Sequence, residues 1–504
     1  MGVAQHTALK KGLRAQAAGP RQPGGFNAAI PPWPRLSASQ TDRESPGDSP
    51  PEPGTAVLAL TPAQRRSAGL AALLGNALEW YDFAVYGYVA SALGEAFFPA
   101  DVPALRTMAA FGVFAVGYLM RPVGSLVLGP LGDLLGRRLM LSLSIVIMGG
   151  SSLLIGLLPT HQQIGMTAGI LLVVLRMLQG FSVGGEFTGS ITYAAEAAGH
   201  GRSGLLSSLA VSGGLLGFSL GSLTAALVGW AVGDGAMAAW GWRLPFLLGA
   251  GVALLGLWMR RSMPETLPDD DQRAPIQTSG ELLAAMGWSL RQLVGEWPLV
   301  LRVVGLVSFA NVVFYVSFVF LVDHAGQHAG SSAGANSVST VMQTLGLPLV
   351  VLGGHLADRY GLVAVNRWGN AGLALITPVA LLIGQGGGLA GLAIAQGLVL
   401  LPLMATMGAQ GVLGVVMVPP GQRCAVFSIG YSLGMALFAG TAPLVASWLL
   451  GGLDWPWGTP LYCLLYAGFA LWAVQASRGD LARRSAEASA ADGAVRPAPR
   501  GASS

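Results

Sequence analysis

The stretch GPLGDLLGRR, residues Gly129–Arg138, decides the fold because its pattern occurs a second time in the chain. The stretch GHLADRYGLV, residues Gly354–Val363, also reads G-x-L-x-D-x-x-G, at an offset of roughly 220 residues. Each copy follows the second long apolar segment of its half. The two halves are therefore predicted to repeat one architecture.

The composition is that of a membrane protein. Of 504 residues, 53% are hydrophobic and only 10% are charged, against about 25% charged residues in soluble domains. Apolar segments of about 20 residues can each span a ~30 Å hydrocarbon core. Helices supply the hydrogen bonds that the backbone N–H and C=O groups of so many spans need inside the bilayer. We predict an all-α membrane protein with twelve transmembrane helices in two pseudo-symmetric six-helix bundles. The predicted spans start near Ala68, Thr107, Leu139, Gly165, Leu205, Pro245, Leu299, Val338, Leu362, Leu389, Ala425 and Pro460.

The loops define the domains and the orientation. We expect a disordered tail over 1–66, bundles over 67–262 and 298–476, an interdomain loop over 263–297 and a disordered tail over 477–504. Arginines collect in alternate loops, which predicts that both tails and the interdomain loop are cytoplasmic, in a protein of the inner cell membrane. The basic residues are too scattered for a nucleic-acid partner. The two cysteines have no metal-binding spacing, and we expect no cofactor, no metal and a monomer.

Two carboxylates lie inside the first span, in GNALEWYDFAVYG, residues 75–87. Asn76, Glu79 and Asp82 are spaced by three and Tyr86 continues the row, so they share one flank of a helix. A charge facing lipid costs roughly 2.5–3.5 kcal/mol, so this flank is predicted to face the bundle interior. A buried carboxylate near a cation can take up and release a proton, as a proton-coupled carrier requires. The alternative is a structural pair that anchors the first span to an arginine, Arg121 or Arg176.

Further polar residues are predicted inside the spans. Arg176 lies within the fourth span with Gln179 and Glu186 near its face, and we expect it to be the counter-charge of the carboxylates or a ligand for an anion. Arg121 either binds substrate or extends to the cytoplasmic interface. Further candidates for contacts with substrate in this half are Asn76, Tyr86, Gln179 and Glu186. In the second half the candidates are neutral, and each either binds substrate or bonds two helices: Asn311, Tyr315, Gln343, Gln396, Gln410 and Tyr431. We expect His324 and His328 to lie solvated in an external loop.

The chain resembles the metabolite–proton symporter family of the major facilitator superfamily over nearly all of 69–472. The resemblance is carried by GNALEWYDF, GSLVLGPLGDLLGRR, RMLQGFSVGGEFTGS, AAEAAGHGRSG, GWRLPFLLG and LWMRRSMPET. It implies proton-coupled uptake of a small organic acid or zwitterionic metabolite by alternating access. It also implies a cytoplasmic gate in which carboxylates and guanidinium groups pair, matched here by Gly129, Asp133, Gly136, Arg137, Arg138, Glu196, Arg202, Asp358 and Arg423.

The second half departs from the family pattern. Leu362 and Val363 stand where the family has two basic residues, and Val416 stands where it has a glutamate. Asp358 and Arg423 remain, so two ionic partners are absent together. This leaves a uniporter, an efflux carrier or a transporter-derived sensor as alternative functions. The fifth span lacks the Gly-Pro-x-x-Gly-Gly stretch of many drug–proton antiporters, which argues against efflux. An intramembrane aspartyl protease is not expected, because Asp133 lies at the membrane edge.

Overall fold

The fold is given by a computed structural model that describes residues 62–100, 102–135, 137–198, 202–261, 287, 291, 294–419 and 423–495. In these ranges the regular elements are helices and no strand occurs. Nine described helical stretches are long and apolar enough to cross a membrane, and Ser142–Leu157 is a shorter apolar one. The prediction of an all-α membrane protein is confirmed.

The first half contains a helical segment at each of its six predicted spans. Two of them are interrupted: α1 at Val89, and α4 at a turn over 183–185. The bounds are α1a Pro62–Tyr88, α1b Ala90–Phe97, α2 Pro103–Leu135, α3 Arg137–Leu157, α4a Met166–Ser182, α4b Glu186–Ala197, α5 Ser203–Val232 and α6 Arg243–Arg261, with short helices at His161–Ile164 and Asp234–Ala236 and a π-helix at Met237–Gly241.

The second half also has a helical segment at each predicted span. Its seventh and eleventh helices contain π-helical turns, which often mark functional positions in helices. The bounds are α7a Trp297–Tyr315, π-helix Val316–Phe320, α7b Leu321–Ala329, α8 Ser332–Tyr360, α9 Leu362–Gln385, α10 Gly388–Val416, α11a Arg423–Gly434, π-helix Met435–Ala439, α11b Ala442–Ser447, π-helix Trp448–Gly452 and α12 Gly458–Val495.

Three predicted boundaries differ from the structure. Helix α1a begins at Pro62, inside the expected N-terminal tail, and α12 continues to Val495, so residues 477–495 are helical rather than disordered. Helix α7b ends at Ala329, which makes the expected external loop after the seventh span much shorter. Residues 1–61 and 496–504, and most of the predicted interdomain loop 263–297, lie outside the described residues.

Glycines allow neighbouring helices to pack backbone to backbone. A Cβ on Gly217 of α5 would lie 2.6 Å from the carbonyl oxygen of Ala77 in α1a. A Cβ on Gly180 of α4a would overlap the carbonyl oxygen of Gly117 in α2, and one on Gly408 of α10 would overlap that of Val350 in α8. These helices therefore approach each other more closely than larger residues at these positions would allow.

Neutral hydroxyl pairs connect the two halves. Thr188 of α4b and Ser428 of α11a lie 2.5 Å apart, and Ser125 of α2 lies 3.1 Å from Ser432 of α11a. On the other side, Ser219 of α5 lies 3.0 Å from Thr344 of α8. Much of the interface between the halves therefore contains hydrogen bonds between uncharged side chains.

Candidate functional site

The polar flank of α1a is buried, as its spacing predicts. Asn76 is 2% exposed, Glu79 is 5% and Asp82 is 2%, while Tyr86 is fully buried. Asn76 donates to Ser190 of α4b and to the carbonyl oxygen of Ala210 in α5. This flank therefore faces the other helices of the first half.

Glu79 pairs with Arg121 of α2. Arg121 Nη2 lies 3.4 Å from Glu79 Oε1, and both side chains are buried. The Arg121 guanidinium also lies over aromatic rings, 4.5 Å from the Trp80 centroid and 5.0 Å from that of Tyr118. Arg121 is 3% exposed, so the interpretation in which it extends to the cytoplasmic interface is wrong.

Asp82 is linked to Arg176 through two neutral side chains. Ser152 of α3 donates to Asp82 Oδ1 at 2.8 Å and accepts a hydrogen bond from Gln179 Nε2 at 2.7 Å. Gln179 Oε1 in turn accepts from Arg176 Nη1 at 2.9 Å. We expected Arg176 to pair with the carboxylates, but the guanidinium that contacts Glu79 is that of Arg121. Among the described residues, no guanidinium lies within ion-pair distance of Asp82.

The two arginines share one aromatic ring. Arg121 lies 4.7 Å and Arg176 lies 4.8 Å from the centroid of Phe83, and Arg176 also lies 4.3 Å from that of Tyr86. The negative faces of aromatic rings attract such cations and replace part of their lost hydration. Aromatic side chains of α1a therefore help to hold two buried positive charges near two buried carboxylates.

Helix α4 bends between Arg176 and Glu186. Gly185 has φ of +99°, a conformation that favours glycine, and α4b starts at the next residue. Glu186 was expected to share the helix face of Arg176, which requires one continuous helix. Because the helix is interrupted between them, the spacing of the two residues does not determine where the Glu186 side chain points. Glu186 is half-buried at the start of α4b.

A cavity lies between the halves. Aromatic rings form much of its wall: Phe218 and Phe314 are 4.9 Å apart, Trp80 and Phe187 are 5.1 Å apart, and Phe187 and Tyr431 are 5.3 Å apart, all measured between centroids. None of its lining residues is charged. The lining consists of Trp80, Phe187, Ile191, Val211, Gly214, Leu215, Phe218, Asn311, Phe314, Tyr315, Met407, Gln410, Gly411 and Tyr431.

The predicted substrate residues divide into two groups. Asn311 and Tyr315 line this cavity, together with Gln410 and Tyr431. Three others bond helices to one another: Gln343 Nε2 donates to Tyr88 at 2.8 Å, Gln396 Nε2 donates to the carbonyl oxygen of Ser317 at 3.0 Å, and Tyr86 donates to that of Ala110 at 3.1 Å. Sequence reasoning missed the aromatic wall, since Phe187, Phe218 and Phe314 come from separate helices and carry no local signal.

Contacts between the halves occur at the end that carries the predicted gate. Both oxygens of Asp358, at the end of α8, accept hydrogen bonds from the start of α5: from the Gly204 N–H at 2.8 Å and from the Leu205 N–H at 2.9 Å. Arg423 Nη1 of α11a lies 3.1 Å from Glu196 Oε1 of α4b. Arg202 immediately precedes α5 and is exposed. The remaining predicted gate positions lie outside the residues whose side chains the structure describes: Gly129, Asp133, Gly136, Arg137 and Arg138.

Hydrogen bonds also join the halves at the opposite end. Asp323 of α7b accepts from the hydroxyl of Ser91 in α1b and, at 3.2 Å, from the Ser91 N–H. Gln327 donates to both Ser91 and Asp323, at 2.8 and 2.7 Å. The expectation of an external loop here is wrong: His324 and His328 belong to α7b, and their ring centroids are 4.0 Å apart. The sequence analysis did not select Asp323, because it placed this segment in the external loop.

The sequence model of the Major Facilitator Superfamily matches residues 72–417. This chain belongs to the major facilitator superfamily. A glycine betaine/proline/ectoine/pipecolic acid transporter of Dickeya dadantii is 35% identical over 393 residues, which cover 76% of this chain and 77% of that protein. A proline/betaine transporter of Escherichia coli is 34% identical over 393 residues and is covered to 78%. The protein is therefore a multi-pass membrane transporter and not an enzyme.

Solved structures support the fold. The proton:xylose symporter XylE, bound to a deoxyglucose derivative, matches with a TM-score of 0.63 at 17% identity, over 83% of this chain and 96% of that one. A human organic anion transporter matches with a TM-score of 0.56 at 19% identity, over 83% of this chain and 100% of that one. Both share the fold of this chain, and the prediction of this fold is confirmed.

Proposed function

We propose that this transporter carries a small zwitterion of the betaine or proline type into the cell together with protons. The observation that carries the proposal is the uncharged, aromatic-walled cavity between the halves, next to buried arginines and carboxylates. The names of the relatives support the same substrate class. Alternating access requires one end to close while the other opens, and cross-half contacts at both ends support that cycle.

The cationic end of the substrate is proposed to lie among the aromatic rings. A quaternary or secondary ammonium group cannot be satisfied by many hydrogen bonds, and it is attracted by ring faces by about 0.5–2 kcal/mol per contact when water is excluded. The rings of Phe218, Phe314 and Tyr431 line the cavity and provide such faces. Neutral Gln410 and Asn311 then complete the wall without competing for the charge.

The carboxylate end is proposed to lie on the side of Trp80. Behind this ring lies the Arg121 guanidinium, 4.5 Å from its centroid, which makes the potential on that side positive. Arg121 Nε has no hydrogen-bond partner among the described residues, so the guanidinium is only partly engaged by Glu79. A substrate carboxylate on this side is thus stabilised without a charged residue in the cavity wall.

Glu79, Asp82 or both are proposed to carry the coupled proton. Asp82 is the stronger candidate, because the neutral Ser152 hydroxyl donates to it whereas Glu79 contacts a guanidinium. A carboxylate paired with a cation resists protonation, while one bonded to a hydroxyl resists it less. Arg176 is proposed to act on Asp82 through Gln179 and Ser152.

The remaining proposals concern topology and closure. Arginine placement supports cytoplasmic termini, two bundles over 67–262 and 298–476, and a location in the inner cell membrane. The end that carries Asp358, Glu196 and Arg423 is then the cytoplasmic gate, to which Asp133 and Arg137 are proposed to contribute. We propose a monomer, since each chain contains a complete cavity.

The test is uptake by purified protein in lipid vesicles. Labelled glycine betaine and proline should accumulate against their gradients when the outside is made acidic. Asp82→Asn should abolish this accumulation while substrate counterflow persists, and Glu95→Gln, which alters an exposed carboxylate of the same region, should change neither. Binding without any uptake would identify a sensor, and equilibration without accumulation would identify a uniporter. Full accumulation by both Glu79→Gln and Asp82→Asn would exclude these carboxylates as proton sites.

A further inference from the structure

Tyr118 of α2 lies between the Arg121 guanidinium and the cavity. It is fully buried. Its hydroxyl lies 2.6 Å from that of Tyr315, a residue of the other half that lines the cavity. Its ring lies 5.0 Å below the Arg121 guanidinium. One side chain therefore touches the Arg121–Glu79 pair and a wall of the cavity.

One of the two O–H donors of the Tyr118–Tyr315 pair is not used in the bond between them. Each tyrosine carries one O–H, and the bond between them uses one of the two. No third partner for either hydroxyl is present among the described residues. If Tyr118 donates to Tyr315, the O–H of Tyr315 is left for a group in the cavity. The positive charge of Arg121 over the Tyr118 ring favours this direction, since it makes Tyr118 the better donor.

Tyr118 also contacts two helices of the second half at irregular turns. Tyr315 is the last residue of α7a before the π-helix Val316–Phe320. Gly440 follows the π-helix Met435–Ala439 of α11, and a Cβ there would overlap the ring of Tyr118. Such turns are common where helices bend in function. Tyr118 is thus packed against the parts of α7 and α11 whose geometry sets the position of Tyr315.

We infer that Tyr118 is a positioning residue for substrate: it donates to Tyr315, and the free O–H of Tyr315 donates to the substrate carboxylate. The inference rests on the proposed zwitterionic substrate and adds to it a specificity for the carboxylate. Donors in a chain polarise one another, so the last bond is stronger than one from an isolated tyrosine. Arg121 then acts on substrate through Tyr118 without entering the cavity.

The test compares two probes that differ at one end. Glycine betaine carries a carboxylate and choline, its alcohol analogue, does not, while both carry the same quaternary ammonium. Binding to the purified full-length protein is measured for wild type, Tyr118→Phe, Tyr315→Phe and the double variant. Tyr462→Phe removes a tyrosine hydroxyl that bonds to the Phe438 carbonyl oxygen away from the cavity, and it serves as the control.

Tyr315→Phe should weaken betaine binding by about 5- to 10-fold, the equivalent of one buried hydrogen bond. Tyr118→Phe keeps that bond and removes only its polarisation and alignment, so it should weaken betaine binding by roughly 1.5- to 4-fold. Both variants should leave choline binding unchanged. The double variant should be no weaker than Tyr315→Phe alone, because the chain has a single end at the substrate. Equal effects on both probes, or additive effects of the two substitutions, would overturn the inference and leave the proposed function intact. If wild type binds neither betaine nor proline, the proposed substrate class fails and this inference fails with it.

Discussion

If the proposed orientation is correct, the contact between Asp358 and the start of α5 should be the main bond that keeps the inner end closed. Its carboxylate accepts two backbone hydrogen bonds, of 2.8 and 2.9 Å, from the Gly204 and Leu205 N–H groups. A bond to a charged group contributes about 1.5–3 kcal/mol, and a carboxylate at a helix N-terminus contributes about 0.3–1 kcal/mol more. Asparagine keeps one acceptor oxygen and loses the charge. Asp358→Asn should therefore favour the inward-open state by roughly 2–4 kcal/mol, about 30- to 1000-fold.

The ion pair at the same end should matter much less. The Arg423 side chain is 21% exposed and that of Glu196 is 46% exposed, so water screens their attraction. Such pairs contribute about 0–1 kcal/mol, which corresponds to at most about a 5-fold change. Arg423→Gln should accordingly shift the equilibrium by a small fraction of the Asp358→Asn effect.

The populations can be read from the accessibility of one cysteine. Ile191 is fully buried and lines the cavity, so Ile191→Cys in a background of Cys424→Ser and Cys463→Ser should react with a membrane-impermeant maleimide only when the inner end opens. Labelling is measured from the inner side in inside-out vesicles. Asp234→Asn, an exposed carboxylate beyond the other end of α5, is the control. The reasoning is refuted if Arg423→Gln raises the labelling rate as much as Asp358→Asn does.

Three further substitutions test other parts of the structure. Gly180→Leu should prevent α2 and α4a from packing, because the new side chain meets the Gly117 backbone, so little folded protein should be recovered. The control Gly150→Leu should be tolerated, because the space around its Cβ position is open. Equal yields of the two variants would contradict this packing. Phe218→Leu should weaken binding of both betaine and choline by removing a ring face of the cavity, roughly 3- to 10-fold by titration, and an unchanged affinity would place the ammonium elsewhere. Asp323→Ala should open the outer end and raise labelling of cavity cysteines from outside, since it removes the acceptor of the Ser91 and Gln327 bonds; slower labelling would argue against this contact as an outer closure.

The fold followed from segment length, because a bilayer requires about 20 apolar residues per span wherever the segment lies in the sequence. The interruption of α4 did not follow, because Gly184 and Gly185 are as compatible with close packing as with a turn. The end of α7b was also missed: Asp323, His324 and Gln327 are polar, and the sequence does not indicate that α1b covers this part of the helix.

The spacing of Glu79 and Asp82 predicted which flank of α1a is buried, since helical geometry relates residues three apart. It did not predict the partner of each carboxylate, which depends on the helix that packs opposite. Arg121 and Arg176 were both available, and the structure divides them between the two sites. The cavity could not be assembled from the sequence either, because each of its aromatic residues looks locally like any other apolar residue of a span.

The absent ionic partners of the second half do not leave Asp358 without a partner. Leu362 and Val363, which stand in place of the basic residues, pack partly buried against the hydrophobic core, and Leu362 also contacts the small cluster around Ala357. The Asp358 carboxylate accepts instead from backbone N–H groups of α5, which only a substitution by proline would remove. Gly204 permits this approach, because a Cβ there would overlap the Gly354 carbonyl oxygen and lie 2.7 Å from Asp358 Oδ1. We therefore propose that the gate in this half depends on a carboxylate, a helix N-terminus and a glycine, and that it closes without a basic residue after Gly361.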